Sequence, residues 1–397
     1  MSATHKNNSS TLETVLYMAM ELSEKEWKLA FATGAAQKPR RREIPARDIE
    51  GLRKEIATAK ERFDLPAETR VVSCYEAGRD GFWLHWFLLA AGVESQVVDS
   101  SSIEVERRGR RAKTDRLDAE KLLSMLIRWH QGEPHVWRVV NAPSPEEENA
   151  RQLHRELETL KGEQTAHGNR IKGLLAGCGL TVTINRHLPK WLKFVRLWDG
   201  REVPGELKAR VLREFERMQA VNRQIRDLEK ERARRIRTED KDPGIVKMRK
   251  LMGLGGIGVN SAWLYVREVF GWRKIQNRRQ VGSIVGLTPT PYNSGDSSRE
   301  QGISRAGNRR MRSMSIEIAW DWLRYQPGSA LSLWYQRRFG PGSKRQRRIG
   351  IVALARKLLV ALWKYLERDE VPQGAEVKDW KEKALHCTLS LAEREAA

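Results

Sequence analysis

Apolar residues along the chain follow two rhythms. Near the amino end, short runs at Val15–Met20, Trp27–Ala32, Arg70–Tyr75 and Gln96–Asp99 are bounded by polar residues, the pattern of strands. Residues 48–63 and 80–91 carry apolar positions at helical spacing, and residues 35–47 read as a polar, basic turn. Strands alternating with helices predict an α/β layer with a partly parallel sheet over residues 14–142. The rhythm then becomes helical. Residues 146–176 repeat Leu153, Leu157 and Leu160, and residues 205–237 repeat Val211, Phe215, Met218, Val221 and Ile225. That spacing predicts an antiparallel helical hairpin or coiled coil across residues 143–242. Pro143-Ser144-Pro145 marks the boundary before it, and Asp240-Lys241-Asp242-Pro243-Gly244 the break after it. Residues 243–368 read as a mainly helical segment, with residues 313–325 and 349–368 apolar-periodic, so the class is α/β followed by α. Residues 1–13 read as a disordered tail and residues 369–397 as peripheral.

Charge narrows the function classes. Lys and Arg number 73 against 51 Asp and Glu, a formal net charge of +22, and the excess is spread along the chain. A polyanionic partner follows, with nucleic acid ahead of an anionic membrane surface. No apolar run reaches the roughly 18 residues of a membrane span, and Met1–Thr14 lacks a signal-peptide core. Cys74, Cys178 and Cys387 are too few and too scattered for a disulfide framework or a zinc site, which suits a reducing cytoplasm.

Within this basic chain, acids stand at chemically suggestive places. Asp115 and Asp118 open a helix whose apolar side carries Leu117, Ala119, Leu122, Leu123 and Leu126. Residues three apart share a helix face, and two carboxylates on one face suit a hard divalent cation that also takes a phosphate oxygen. Arg107, Arg108, Arg110, Arg111, Lys113 and Arg116 surround the pair. A solvated first turn, where acids are favoured, is the plain alternative. Glu21 and Glu76 end two of the expected strands, and ligands bind beyond the carboxyl ends of strands in such sheets. Glu24 and Glu26 compete with Glu21 from a turn, and Asp99 is an accessory candidate. One acid after the first strand, one after a middle strand and two on a later helix resemble the RNase H/RuvC type of nuclease domain, whose acids bind two divalent metals, Mg2+ or Mn2+. The first acid of that arrangement is usually Asp; here it is Glu21.

Two further clusters lie in the carboxyl-terminal segment. Met252–Ala262 alternates glycine with apolar residues and resembles a helix-hairpin-helix, in which Gly256 and Gly258 could let backbone N–H groups approach a phosphate. No strong strand precedes it and no βαβ unit surrounds it, so a dinucleotide-binding reading is weak. Residues 282–312 form a loop rich in Pro, Gly and Ser, flanked by Arg299, Arg305, Arg309, Arg310 and Arg312, whose forked donors suit phosphate. On the residues alone Ser294, Ser297, Ser298 and Ser304 are all ordinary loop hydroxyls. No histidine lies between His187 and His386 to activate one of them, so activation by metals is the natural alternative. Lys344, Arg345 and Arg347 form a basic loop that could track a nucleic-acid backbone.

The stretch VGLTPTPYNSGDSSREQGISRAGNRRMRSM resembles the signature of the IS110-family (IS110/IS1111) transposases. YEAGRDGFWLHWFL and RRAKTDRLDAEKLL resemble their amino-terminal nuclease-like segment, and the likeness spans about residues 14–366. The resemblance implies a RuvC-like domain, a coiled-coil linker and a transposase domain. It implies site-specific recombination of an insertion sequence in a prokaryotic, nucleoid-associated setting, with DNA as substrate and a structured guide RNA as partner. It also implies that Glu21, Glu76, Asp115 and Asp118 bind metal and that Ser294 attacks the DNA phosphate, forming a covalent phosphoserine. Strand exchange needs several active sites at once, so a homo-oligomer, dimer or tetramer, is expected. A metal-dependent structure-selective nuclease, with water in place of serine, and a noncatalytic nucleic-acid-binding protein are the alternatives.

Overall fold

A computed structural model describes residues 14–103, 115–294 and 297–381, with the side chains of residues 101, 115–118 and 291–301 left aside. The expected amino-terminal tail, the basic run at 107–113, and residues 382–397 lie outside the described residues. The chain divides into two compact units, residues 1–145 and 146–397.

The first unit is built on β1 (Leu16–Leu22), β2 (Glu26–Ala32), β3 (Arg40–Pro45), α1 (Ile49–Arg62), β4 (Val71–Glu76), α2 (Trp83–Ala90), β5 (Val93–Val98) and α3 (Asp115–His130). The five strands form one sheet in the order β3-β2-β1-β4-β5. The β1–β2 and β2–β3 pairs are antiparallel, while β1–β4 and β4–β5 are parallel. Each parallel return is made through a helix, as a parallel pair requires. Side chains alternate between the two faces of a strand, and both faces are covered. Leu16, Met18 and Met20 join Leu52 of α1 and Leu84 and Leu88 of α2 on one side. Tyr17, Ala19, Val72 and Cys74 meet Leu122, Leu123 and Leu126 of α3 on the other.

β3 departs from expectation, for residues 35–47 read as a turn. It is an edge strand, and its charges hide it: only Arg40 and Ile44 are buried among Arg-Arg-Arg-Glu-Ile-Pro. Charged edge strands resist pairing with other chains. The Arg40 guanidinium is held by Glu55 at 2.5 Å and lies 5.7 Å from the Phe31 ring.

The second unit opens with two long helices, α4 (Pro145–Ala176) and α6 (Gly205–Thr238), joined through short α5 (Leu188–Phe194). The helices run antiparallel. Leu157 and Leu160 pack on Val221 and Ile225, whereas Ile171 and Leu175 pack on Val211 and Phe215. Polar ties follow the same register: Lys161 to Glu229 at 2.8 Å, Gln164 to Asn222 at 2.6 Å and His167 to Glu214 at 2.6 Å.

Beyond them come α7 (Pro243–Met252), α8 (Val259–Tyr265), a π turn at Val266–Phe270, α9 (Arg278–Ile284), β6 (Pro289–Ser294), β7 (Ser297–Ile303), α10 (Arg309–Tyr325), α11 (Ala330–Phe339) and α12 (Lys344–Arg368). Their core centres on Trp263, Trp322, Leu354, Leu358 and Leu362. Residues expected to be peripheral return to this unit. Val377 bridges Leu254, Gln326 bonds both ways to the Glu376 backbone, and Arg249 stacks on Trp380. No helix among the described residues is long and apolar enough to cross a membrane.

Candidate active site

Parity along the strands sets the first site. Glu21 follows Tyr17 and Ala19 on β1, and Glu76 follows Val72 and Cys74 on β4, so both carboxylates belong to the face that α3 covers. Met20 and Tyr75 are Cα partners across the parallel β1–β4 pair. The next position on each strand is an acid, and neighbouring strands lie about 5 Å apart. Glu21 and Glu76 thus stand side by side at the carboxyl ends of adjacent parallel strands. They line one cavity of about 750 Å3 together with Lys121 and Leu122 of α3.

α3 runs antiparallel to β1. At its end, the His130 Nδ1 lies 2.9 Å from the Tyr17 hydroxyl, near the start of β1. At its middle, the Cys74 thiol donates to the Leu122 carbonyl, 3.8 Å away. Arg41 of β3 pairs with Glu120, tying the helix to the edge strand of the sheet. The opening turns of α3 therefore lie toward the strand ends that carry Glu21 and Glu76. Asp118 is one turn and Asp115 two turns before Leu122, which lines the cavity. The side chains of both aspartates lie outside the described residues.

The remaining lining tunes the cavity. Arg79 and Glu24 pair at 3.0 Å, and Arg47 and Asp80 pair at 3.0 Å. Glu24 thus lines the cavity as an exposed ion-pair member, while Glu26 opens β2 on the exposed side, 4.0 Å from the Lys28 ammonium. Asp99 immediately follows β5, its N–H bonded to the Arg138 carbonyl, and is not among the lining residues. Burial pushes the Cys74 thiol and the Tyr75 phenol up from their ordinary values, so neither ionises readily. The carboxylates are left as the anionic donors. Among the described residues no three His, Cys, Asp or Glu side chains come close enough to hold a metal ion. Two carboxylates open to one cavity are nonetheless a hard-oxygen donor set of the kind Mg2+ accepts, with water and a phosphate completing its shell. Sequence reasoning missed Lys121, Arg79 and Asp80, whose places depend on the α3 packing and on the turn after β4.

The second site lies on β6 and β7. The expected loop around Ser294 is an antiparallel hairpin in which Ser294 pairs with Ser297 and Asn293 with Ser298. Prolines 289 and 291 disguise the strand, but a two-stranded ribbon has two free edges, where a missing N–H costs no ladder bond. Ser294 is the last residue of β6 and Ser297 the first of β7, so both stand at the tip; Arg299 lies further along β7. The side chains of Ser294, Ser297, Ser298 and Arg299 lie outside the described residues, as do residues 295 and 296. Ser304 is at the base instead, where its hydroxyl accepts from Thr288 at 3.1 Å.

The base of the hairpin is tightly closed. Gly286 has φ 66°, and a Cβ there would sit 1.9 Å from the Ala306 carbonyl oxygen, so no other residue fits. Arg312 donates to the carbonyls of Val285 and Arg305 at 3.2 and 2.9 Å and so clamps the base. Arg310 pairs with Glu158 at 2.9 Å. Arg305 and Arg309 are exposed beside the hairpin.

The other expected contacts fall elsewhere in this unit. Gly256 has φ 85°, and its missing Cβ makes room for the backbone of Asp321 and Trp322 at 3.2–3.3 Å. The Gly258 N–H is taken by the Ser261 hydroxyl at 3.1 Å. These glycines border a cavity that also holds Asp321 and Glu376. Lys344, Arg345 and Arg347 are exposed but helical: they form the first turn of α12, capped by Ser343 with Gln346.

Comparison with known proteins follows the same layout. Residues 248–333, from α7 through the hairpin into α11, match the family described as Transposase IS116/IS110/IS902. The chain is 39% identical over 384 residues to a Sinorhizobium fredii protein bearing the transposase name y4rJ, covering 91% of this chain and 94% of that one. It is 25% identical over 294 residues to the transposase for insertion sequence element IS1111A of Coxiella burnetii, covering 72% and 75%. The transposase for insertion sequence element IS1328 of Yersinia enterocolitica is 25% identical over 255 residues, covering 63% and 71%.

Proposed function

The chain belongs to the IS116/IS110/IS902 family of transposases, and from that premise we propose that it cuts and rejoins DNA through a covalent serine intermediate assisted by divalent metals. The near full-length relationship to the Sinorhizobium fredii protein carries the transposase reading. The chemistry is argued from the two sites. In the first unit, Glu21 and Glu76 open to one cavity at the strand ends, beside which the opening turns of α3 lie. This arrangement supports a RuvC-like metal site completed by Asp115 and Asp118. Mg2+ or Mn2+ bound there would neutralise phosphate charge.

In the second unit, Ser294 stands at the tip of a hairpin whose base is locked, inside the stretch matched to the family. Its Oγ would attack a DNA phosphorus: an Oγ–P bond forms, a P–O bond to deoxyribose breaks, and the leaving sugar oxygen takes a proton. Attack by that sugar hydroxyl, or one from another strand, reverses the step and frees the serine. A structured RNA is proposed as guide, and a homo-oligomer as the active form.

The test is a denaturation-resistant protein–DNA adduct. The full chain is incubated with Mg2+, DNA flanking its own gene and RNA transcribed from that noncoding DNA. The adduct should form with the unaltered protein, Ser297→Ala and Ser298→Ala, and not with Ser294→Ala. Asp115→Asn and Asp118→Asn should bind DNA but form none. An adduct that persists in Ser294→Ala sinks the nucleophile assignment. Cleavage by the unaltered protein without any adduct would point to a water-using nuclease.

A further inference from the structure

The second unit holds a groove of about 530 Å3 that no sequence expectation covered. Arg278 and Arg279 of α9 and Arg356, Lys357 and Lys364 of α12 line it, as does Thr288 just before β6. Leu331 and Val360 contribute an apolar floor. Among the described residues no carboxylate lines it.

Several cations elsewhere in this unit are matched to acids. Arg151 and Arg155 share Glu268, Arg234 and Arg235 share Glu231, Arg249 meets Asp240, and Arg267 meets Asp242. In the groove, Lys364 has Glu370 at 3.0 Å and Lys357 stands 4.8 Å over the Trp334 ring. Arg278, Arg279 and Arg356 have no ion pair among the described residues. Like charges gathered within a Debye length, about 8 Å at physiological salt, repel one another. An anion in the concavity relieves that repulsion, and low-dielectric walls focus the field upon it.

We propose that this groove grips the phosphodiester backbone of a nucleic-acid strand, with sugar edges against the apolar floor. The inference rests on the transposase reading for its choice of anion. Forked arginine donors suit phosphate oxygens. The groove also lies where such a grip is useful. Thr288 immediately precedes β6, and the six positions from it to Ser294 span about 20 Å of strand. That is the length of about six nucleotides, so a strand held in the groove can be presented to the hairpin tip.

The experiment measures binding of the full chain to duplex DNA, single-stranded DNA and RNA across a salt series. The variant is Arg278→Gln with Arg279→Gln and Arg356→Gln. The control removes the same charge from exposed positions of α6, as Arg210→Gln with Arg213→Gln and Arg223→Gln. Each lost phosphate contact lowers the slope of log K against log salt by about 0.9 on duplex DNA and about 0.7 on single strands. The groove variant should lower the slope by about 2 to 3 on its cognate strand, and the control by less than about 1. The probe with the largest drop identifies the strand, and the three Arg→Lys changes should restore the slope. Because the Arg356 stem packs near Gly282, the double variant at exposed Arg278 and Arg279 provides a check free of packing changes, with a drop of about 1 to 2. Equal slopes for groove variant and control overturn the groove, even if the Ser294 adduct forms normally. A groove-specific drop in a protein that forms no adduct upholds the groove and overturns only the recombinase chemistry.

Discussion

The two units handle charge in opposite ways. At the end of the first unit's sheet, Glu21 and Glu76 are set by buried strands and share a cavity with Glu24 and Asp80, against Arg79 and Lys121. In the second unit, α9 and α12 place five cations around a groove that no described carboxylate lines. An acidic cavity in a protein of net charge +22 attracts cations, and a cationic groove attracts polyanions. On the proposed function, the difference separates chemistry from grip. Removing an acid should stop reaction without loosening nucleic acid, whereas removing groove cations should loosen nucleic acid without changing the reacting groups.

The largest effect that could break this contrast is on cleavage. Glu21→Gln and Glu76→Gln each keep the shape and remove the charge, and should slow cleavage by about 10²–10³-fold in Mg2+. Binding measured at fixed salt should be unchanged. Cleavage at the unaltered rate in both variants would leave the cavity without a part in the chemistry.

A smaller effect tests whether the second unit's paired cations are structural, unlike those of the groove. Glu268 is buried, and its carboxylate takes Arg151 at 2.6 Å and Arg155 at 3.2 Å. Glu268→Gln removes one of the two carboxylates that hold the buried Arg151 guanidinium, leaving Glu148 at 2.5 Å, and should cost about 1.5–3 kcal/mol in chemical denaturation. Burial alone would raise the Glu268 carboxyl, but the bonds and charges of Arg151 and Arg155 outweigh it and hold it below the ordinary value. A depressed folded-state value means the stabilisation is complete above the unfolded value of about 4.3 and is lost as pH falls through the lower folded value. The unaltered protein should therefore lose more stability than Glu268→Gln as pH drops from about 5 to about 3. Parallel losses in the two proteins would remove the ion pair as the cause.

The smallest effect is expected at the rim of the acidic cavity. Arg79 and Glu24 are both exposed, and surface pairs contribute about 0–1 kcal/mol. Arg79→Gln should leave the melting temperature almost unchanged while making the cavity more acidic, so cleavage should saturate at lower Mg2+. An unchanged Mg2+ requirement would show that the rim charge does not reach the site.

Local patterns in the sequence were enough for the elements that carry the acids. β1, β2 and β4 are apolar runs, and α3 repeats leucine at helical spacing, so each is specified by residues within one or two turns of itself. The family signature likewise marked the Ser294 region before any fold was known. β3 was hidden because an edge strand is charged, and β6 because its prolines suggested a loop. Gly295-Asp296 between two short runs was a hairpin signal that the sequence did offer. The partners of Arg310 and Arg312 were beyond reach, since Glu158 and the Val285 carbonyl are fixed by packing of distant segments.

The sequence by itself determined which residues are acidic, which are periodic and where the elements lie, because those properties are local. Only the tertiary structure decided that Glu21 and Glu76 share a face, since that depends on the β1–β4 register. It alone gathered Arg278, Arg279 and Arg356 into one groove, since the packing of α9 on α12 joins segments far apart in the chain. Charges that far apart in the chain acquire a common field only when burial of the apolar faces between them fixes their distance.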